Sequence, residues 1–242
     1  MIAVILAAGM AKRLRPLTDN TPKCLLDVKG RSLLERSMDA LVDAGIRDFV
    51  IVTGYLNHMI ENFVKGHYGD SIRVTFIHNA LYDSTNNIYS LWLAGKAVAG
   101  KDFLLLDSDL LYDPQIVKNV LASKSENVLT LIRHELGEEE MKVVLGADGN
   151  ITEISKTCSP KAAAGESLGI EKIGAKYSTA LYAELDKMMN VEHLENTFYE
   201  LAFERLIPQG HTYTVWDASD YFSCELDTVE DFENAKSTIP LD

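Results

Sequence analysis

Four cations crowd one short stretch of the chain: Lys12, Arg13, Arg15 and Lys23. They follow Leu6-Ala7-Ala8-Gly9-Met10, whose small residues leave the backbone open to close approach by a base or a phosphate. Arginine grips phosphate oxygens in a two-pronged manner and lysine acts as a point charge, so the stretch suits a polyphosphate. A second group consists of acids. Asp107 and Asp109 end the apolar run Leu104-Leu105-Leu106, and Asp227 comes late, in Glu225-Leu226-Asp227-Thr228. Like charges placed together raise the cost of ionisation, and a divalent cation with oxygen ligands removes that cost. The plainer readings are a solvated basic loop, a solvated strand end for the Asp107–Asp109 pair, and a helix N-cap for Asp227.

The elements that must position these residues alternate in the first half. Ile2–Leu6 reads as a strand buried on both faces, and Ser32 with Glu35 forms a capping box for a helix ending at Gly45. Strands are expected at Asp48–Thr53, Arg73–His78 and Phe103–Leu106, with helices over Asn57–His67 and within Asn87–Val98. This rhythm calls for an α/β fold, a Rossmann-like and mostly parallel sheet with helices on both faces. The second half reads as a small antiparallel extension. Its strands are Asn127–Arg133, Lys142–Leu145 and Ile151–Ser155, with a hairpin turn at Asp148-Gly149. Helices are expected at Ala175–Asn190, Thr197–Ile207 and Thr228–Lys236, and a late strand at Thr212–Trp216. One domain is expected over 1–242, with a nucleotide-binding part over about 1–125 and an acceptor-binding part over about 126–242.

A net charge of −13 in 242 residues argues against nucleic acid or an anionic membrane as partner. No apolar run approaches the ~20 residues that span a bilayer. Cys24, Cys158 and Cys224 are scattered and form no CxxC pair, which points to reduced thiols and a cytoplasmic protein. There is neither a GxxxxGK[ST] loop nor a GxGxxG fingerprint.

The segment from Leu6 to Lys23 resembles the L-A-A-G-x-G-x-R-L-x-P-x-T-x-x-x-P-K signature of the sugar-phosphate nucleotidyltransferase superfamily, with Ala11 in place of the second glycine. Val52-Thr53-Gly54-Tyr55 resembles that family's V-x-G-Y turn. Tyr82 to Leu91 is similar to the branch that contains CTP:phosphocholine cytidylyltransferases. The resemblance implies transfer of a nucleotidyl group with release of pyrophosphate. Arg13 and Lys23 would act in catalysis, and Asp109 and Asp227 would hold Mg²⁺. Nucleotide would meet Leu6, Ala7, Ala8, Gly9, Met10, Lys12, Gly54, Tyr55, Asn79, Asn87, Ser90 and Asp107. For Asn79 and Asn87 a cap or turn role stands as an equal alternative.

The resemblance further implies CTP and a small cationic phosphate or phosphonate acceptor, such as phosphocholine or 2-aminoethylphosphonate. Glu138 to Lys142 lacks the tryptophan of choline-specific relatives, and Gly165 to Lys172 resembles enzymes acting on 2-aminoethylphosphonate. Candidate acceptor residues are Glu166, Glu171, Tyr182, Tyr199 and Trp216, although solvated charge and ordinary core are the plainer readings. A sugar-1-phosphate nucleotidyltransferase and a non-catalytic nucleotide sensor remain open alternatives, as does a homodimer.

Overall fold

The computed structural model describes residues 1–239. Its centre is a sheet in which β1 (Ile2–Ala7) lies between β4 (Asp48–Thr53) and β6 (Phe103–Asp107), with β5 (Arg73–His78) beyond β4. These four strands run parallel. Alternate residues of each feed two separate cores. On β1, Val4 and Leu6 enter one core while Ala3, Ile5 and Ala7 enter the other. On β6, Phe103 and Leu105 face the first and Leu104 and Leu106 the second. That two-sided burial is why these runs are continuously apolar.

Helices cover both faces, as the periodicity implied. α1 (Leu33–Asp43) and α2 (Asn57–Tyr68) pack on the second core, and α3 (Asn87–Val98) on the first. Ser32 caps α1, with Oγ accepting from Glu35 N–H at 3.1 Å. The Glu35 carboxylate pairs with Arg31 instead of completing the box. The short strands β2 (Asp27–Val28) and β3 (Arg31–Ser32) form a ribbon before α1.

The antiparallel part is larger in consequence than the sequence suggested, because its main strand was not recognised there. β11 (Gly165–Ile173) runs antiparallel to β6 and extends the sheet past it. It also pairs with β8 (Val128–Ile132) and β9 (Lys142–Leu145), the latter hairpinned to β10 (Ile151–Ser155). β12 (Thr214–Asp217) joins β8. α4 (Gln115–Ala122) also escaped the sequence reading, while α5 (Ala175–Asn190) fell where expected. α6 is shorter than anticipated, at Glu200–Leu206, and a 3-10 turn continues it to Gln209.

One small ribbon is decisive for the site. β7 (Leu110–Tyr112) pairs antiparallel with β13 (Ser223–Glu225), just before α7 (Val229–Thr238). The register places Leu110 opposite Glu225, and Leu226 N–H donates to the Asp109 carbonyl at 3.2 Å. Asp109 and Asp227, far apart in sequence, are thereby clamped side by side. Among the described residues, no helix is long and apolar enough to cross a membrane, and all three cysteines are free.

Candidate active site

A cleft of about 580 Å³ opens at the carboxyl ends of β1 and β6. Leu6, Ala7, Ala8, Gly9, Lys12 and Arg13 line one wall, with Lys23 and Asp107 to Asp109 at its floor. Open α/β sheets place ligands at this end of their strands. Arg13 lies in a 3-10 turn, Lys12–Leu14, and Lys23 in another, Lys23–Leu25. Ala11, which starts the first turn, has φ 46° and ψ 54°, the left-handed region that favours glycine.

Lys23 is the centre of the charge arrangement. Its Nζ donates to Asp109 Oδ2 and to Asp227 Oδ1, each at 2.8 Å. Arg13 donates to the other oxygen of Asp227. Burial opposes the charge on Lys23, but the two aspartates outweigh it and its pKa rises. Burial likewise opposes ionisation of Asp227, and Lys23 with Arg13 reverses the balance, so its pKa falls. Asp227 is not the helix cap that its plainer reading made it. Thr228 is the N-cap of α7, in a full capping box with Asp231, and the Asp227 carboxylate is free to face the cleft.

The two carboxylates fit a divalent cation on the chemistry of their donors. Both are hard oxygen ligands, and both reach one common point, now marked by Lys23 Nζ. A second group, Glu35, Asp39 and His67, also brings ligand atoms within 4.8 Å of one another. It lies on α1 and α2 outside the cleft. Arg31 pairs with both of its acids and Tyr68 donates to Asp39, so its charge is already answered.

Gly54 and Tyr55 support the cleft rather than line it. Tyr55 N–H donates to the Ala8 carbonyl at 3.0 Å, and its hydroxyl donates to the Thr18 and Asp19 carbonyls. Gly54 has no room for a side chain, since a Cβ there would stand 2.6 Å from Ala8 O and 2.6 Å from Tyr82 Cβ. Met10 is half-buried and stands outside the lining. Asn79 lines the cleft, but its amide is committed: Oδ1 accepts from Leu81 N–H, and Nδ2 donates to Ser90 and Thr85. It therefore acts as the turn-forming asparagine, the alternative weighed for it. Asn86 caps α3, while Asn87 Oδ1 accepts from Tyr199 N–H at 3.0 Å. No partner of Asn87 Nδ2 is found among the described residues, so its donors remain for a ligand.

The acceptor candidates divide. Glu166 lines the cleft but pairs with His134 at 2.6 Å. Glu171 and Tyr199 are buried beneath it, and Tyr199 donates to Asp107 Oδ2 at 3.0 Å. Burial and the charges of Asp109, Glu171 and Glu200 hold the Asp107 carboxyl well above the usual range. Tyr182 and Trp216 need correction. Tyr182 packs over Gly95 of α3 and donates to the Leu91 carbonyl, a core role. Trp216 stacks on Tyr221, outside the cleft. Sequence reasoning missed Glu200, Lys156, Glu139, Ser167 and Gly169, all of which line the cleft. Gly169 gave no local signal, because the strand that holds it is not marked as one by its sequence. Its φ is +77°, and a Cβ there would lie 2.8 Å from Asp107 Oδ2.

These features define an α/β domain with a cleft, lined by cations and carboxylates, at the carboxyl ends of its parallel strands. The nucleotidyl transferase family model matches residues 2–153, and the chain belongs to that family. The chain is 27% identical to CTP:phosphoglutamine cytidylyltransferase of Campylobacter jejuni, over 96% of this chain and 98% of that one. It is 39% identical to choline-phosphate cytidylyltransferase of Streptococcus pneumoniae, over 45% of this chain and 44% of that one. Among solved structures, CTP:phosphocholine cytidylyltransferase from Streptococcus pneumoniae superposes with a TM-score of 0.82 at 27% identity. That match covers 98% of both chains.

Proposed function

We propose that this chain transfers CMP from CTP to a small phosphate or phosphonate acceptor that carries a cation, releasing pyrophosphate, with Mg²⁺ as cofactor. The observation that carries this reading is Lys23 held between Asp109 and Asp227 at the foot of the phosphate loop. Similarity to cytidylyltransferases supports CTP as the donor.

An acceptor oxygen bonds to the α-phosphorus as the bond from that phosphorus to the bridging oxygen breaks, and pyrophosphate departs with the electron pair. The acceptor oxygen is already anionic, so no general base is needed. Positioning and electrostatic stabilisation do the work. Arg13 lies toward the leaving β- and γ-phosphates. Lys23 sits at the α-phosphate and the incoming oxygen. Asp109 and Asp227 would hold Mg²⁺, which when bound neutralises phosphate charge. Nucleotide occupies the part over about 1–125, and the acceptor reaches it from about 126–242.

A pyrophosphate-release screen of the four nucleoside triphosphates against phosphocholine, 2-aminoethylphosphonate and sugar-1-phosphates tests the reading. CTP with a cationic acceptor should be fastest. Faster turnover of a sugar-1-phosphate with UTP or dTTP would overturn the cytidylyl assignment, and nucleotide binding with no turnover of any pair would mark a sensor.

A further inference from the structure

The acceptor end of the cleft carries two buried glutamates, each with a carboxyl oxygen that lacks a hydrogen-bond donor. Glu200 lines the cleft and is only 7% exposed, yet its Oε2 has no hydrogen-bond partner. Behind it Glu171 is fully buried. Its Oε1 accepts from Ser167 at 3.3 Å, and its Oε2 also lacks a partner. A buried acceptor atom without a donor is costly, and a buried charge more so. The two unpartnered oxygens leave room in the hydrogen-bonding of the pair for a donor from outside the protein.

The aromatic faces nearby are spoken for. Lys156 Nζ lies 4.7 Å above the Phe198 ring and 3.6 Å from Glu139. Tyr199 is buried with its hydroxyl on Asp107, and Tyr182 and Trp216 lie outside the cleft. A trimethylammonium group needs such faces, because it has no N–H to donate. A primary ammonium is the reverse case, with three donors on a compact charge.

Building on the reading above that the acceptor is a cationic phosphate or phosphonate, we infer that Glu200, backed by Glu171, seats a primary ammonium group of the acceptor and so selects –NH₃⁺ over –N(CH₃)₃⁺. Glu200 contributes a charge-assisted hydrogen bond that the methylated group cannot make. Glu171 stands behind it as a second carboxyl, which burial and the neighbouring Glu200 hold well above its usual range. Glu166 is the lesser candidate because His134 already holds it.

Phosphoethanolamine, phosphocholine and ethyl phosphate test this with CTP. The first two differ only in three N-methyl groups, and the third lacks the nitrogen. For the protein as it stands, kcat/KM for phosphoethanolamine should exceed that for phosphocholine by about tenfold or more. In Glu200→Gln, phosphoethanolamine should fall toward the rate of ethyl phosphate, with the loss appearing in the KM for the amine. A structural defect alone would slow all three acceptors together. Should the variant fold poorly, the unsubstituted protein still decides through its ratio. Equal or faster turnover of phosphocholine overturns the inference and leaves the proposed function standing. Should only phosphonates react, 2-aminoethylphosphonate and its N-trimethyl analogue replace the first pair. If no phosphate or phosphonate reacts with CTP, the functional reading fails and this inference with it.

Discussion

Ala11 offers a direct test of how the phosphate loop is held. With φ 46° and ψ 54°, its Cβ crowds the following carbonyl, which costs about 1–2 kcal/mol for a residue other than glycine. The conformation is enforced from both sides, since the Ala11 carbonyl accepts from Leu14 N–H and from Thr18 Oγ1, each at 3.0 Å. Ala11→Gly removes the strain and keeps both bonds. It also frees the unfolded chain, which returns about 0.4–1 kcal/mol. The net expectation is a gain of about 1 kcal/mol or somewhat less, which for a chain of this size raises Tm by about 1–4 °C. Ala11→Val should move the other way, because a β-branched side chain tolerates this backbone poorly. Melting curves of the three proteins, with and without CTP and Mg²⁺, give the measurement. A glycine variant that melts 2 °C or more below the parent protein would refute the reasoning, since it would mean that the alanine methyl is itself a stabilising contact.

Four further outcomes are expected. Lys23→Ala should lower kcat about 10²–10³-fold, more than it raises the KM for CTP, and a change confined to KM would reduce Lys23 to a binding residue. Asp109→Asn and Asp227→Asn should each cut kcat by orders of magnitude with the melting profile largely kept, so near-parental turnover in saturating Mg²⁺ would remove that residue from the metal site. Gly54→Ala should push the Ala8 carbonyl out of place and weaken CTP binding, a loss readable by calorimetry; unchanged affinity would show that the loop gives way without cost. Burial pushes the Glu200 carboxyl from 4.5 up to about 7, so the native state holds a proton there that the unfolded chain has already released. Stability therefore falls as pH rises between about 4.5 and 7, and the cost, up to about 3 kcal/mol, is complete above that range. Glu200→Gln should then melt above the parent protein at pH 8 by a margin that narrows toward pH 5, and a margin independent of pH would contradict it.

The nucleotide half was legible because its signals are local. Continuous apolar strands, small residues after β1 and a run of cations can all be read within a few positions. β4, β5 and α3 fall at the residues expected for them. The acceptor half was harder for a physical reason. β11 carries Gly165, Gly169, Glu166 and Glu171, so neither alternation nor an apolar run marks it as a strand. Only its neighbours β6, β8 and β9 make it one. Glu200 carries no local mark of its burial, which comes from tertiary packing. Tyr182 and Trp216 misled in the opposite sense. Aromatic residues are as ready to fill a core as to face a ligand, and nothing local distinguishes the two.

Tyr199 joins the two ends of the cleft through one side chain and one peptide. Its N–H holds Asn87, on the side proposed for the nucleotide, and its hydroxyl holds Asp107 beside the buried acids. Any shift of α6 that accommodates the proposed acceptor must therefore be felt at the Asn87 amide. By linkage, the factor by which bound acceptor tightens CTP equals the factor by which CTP tightens the acceptor. That equality holds whichever ligand arrives first, and what the bridge supplies is a physical path for the coupling. It also lets a well-fitting acceptor on one side complete the grip on the nucleotide at the other.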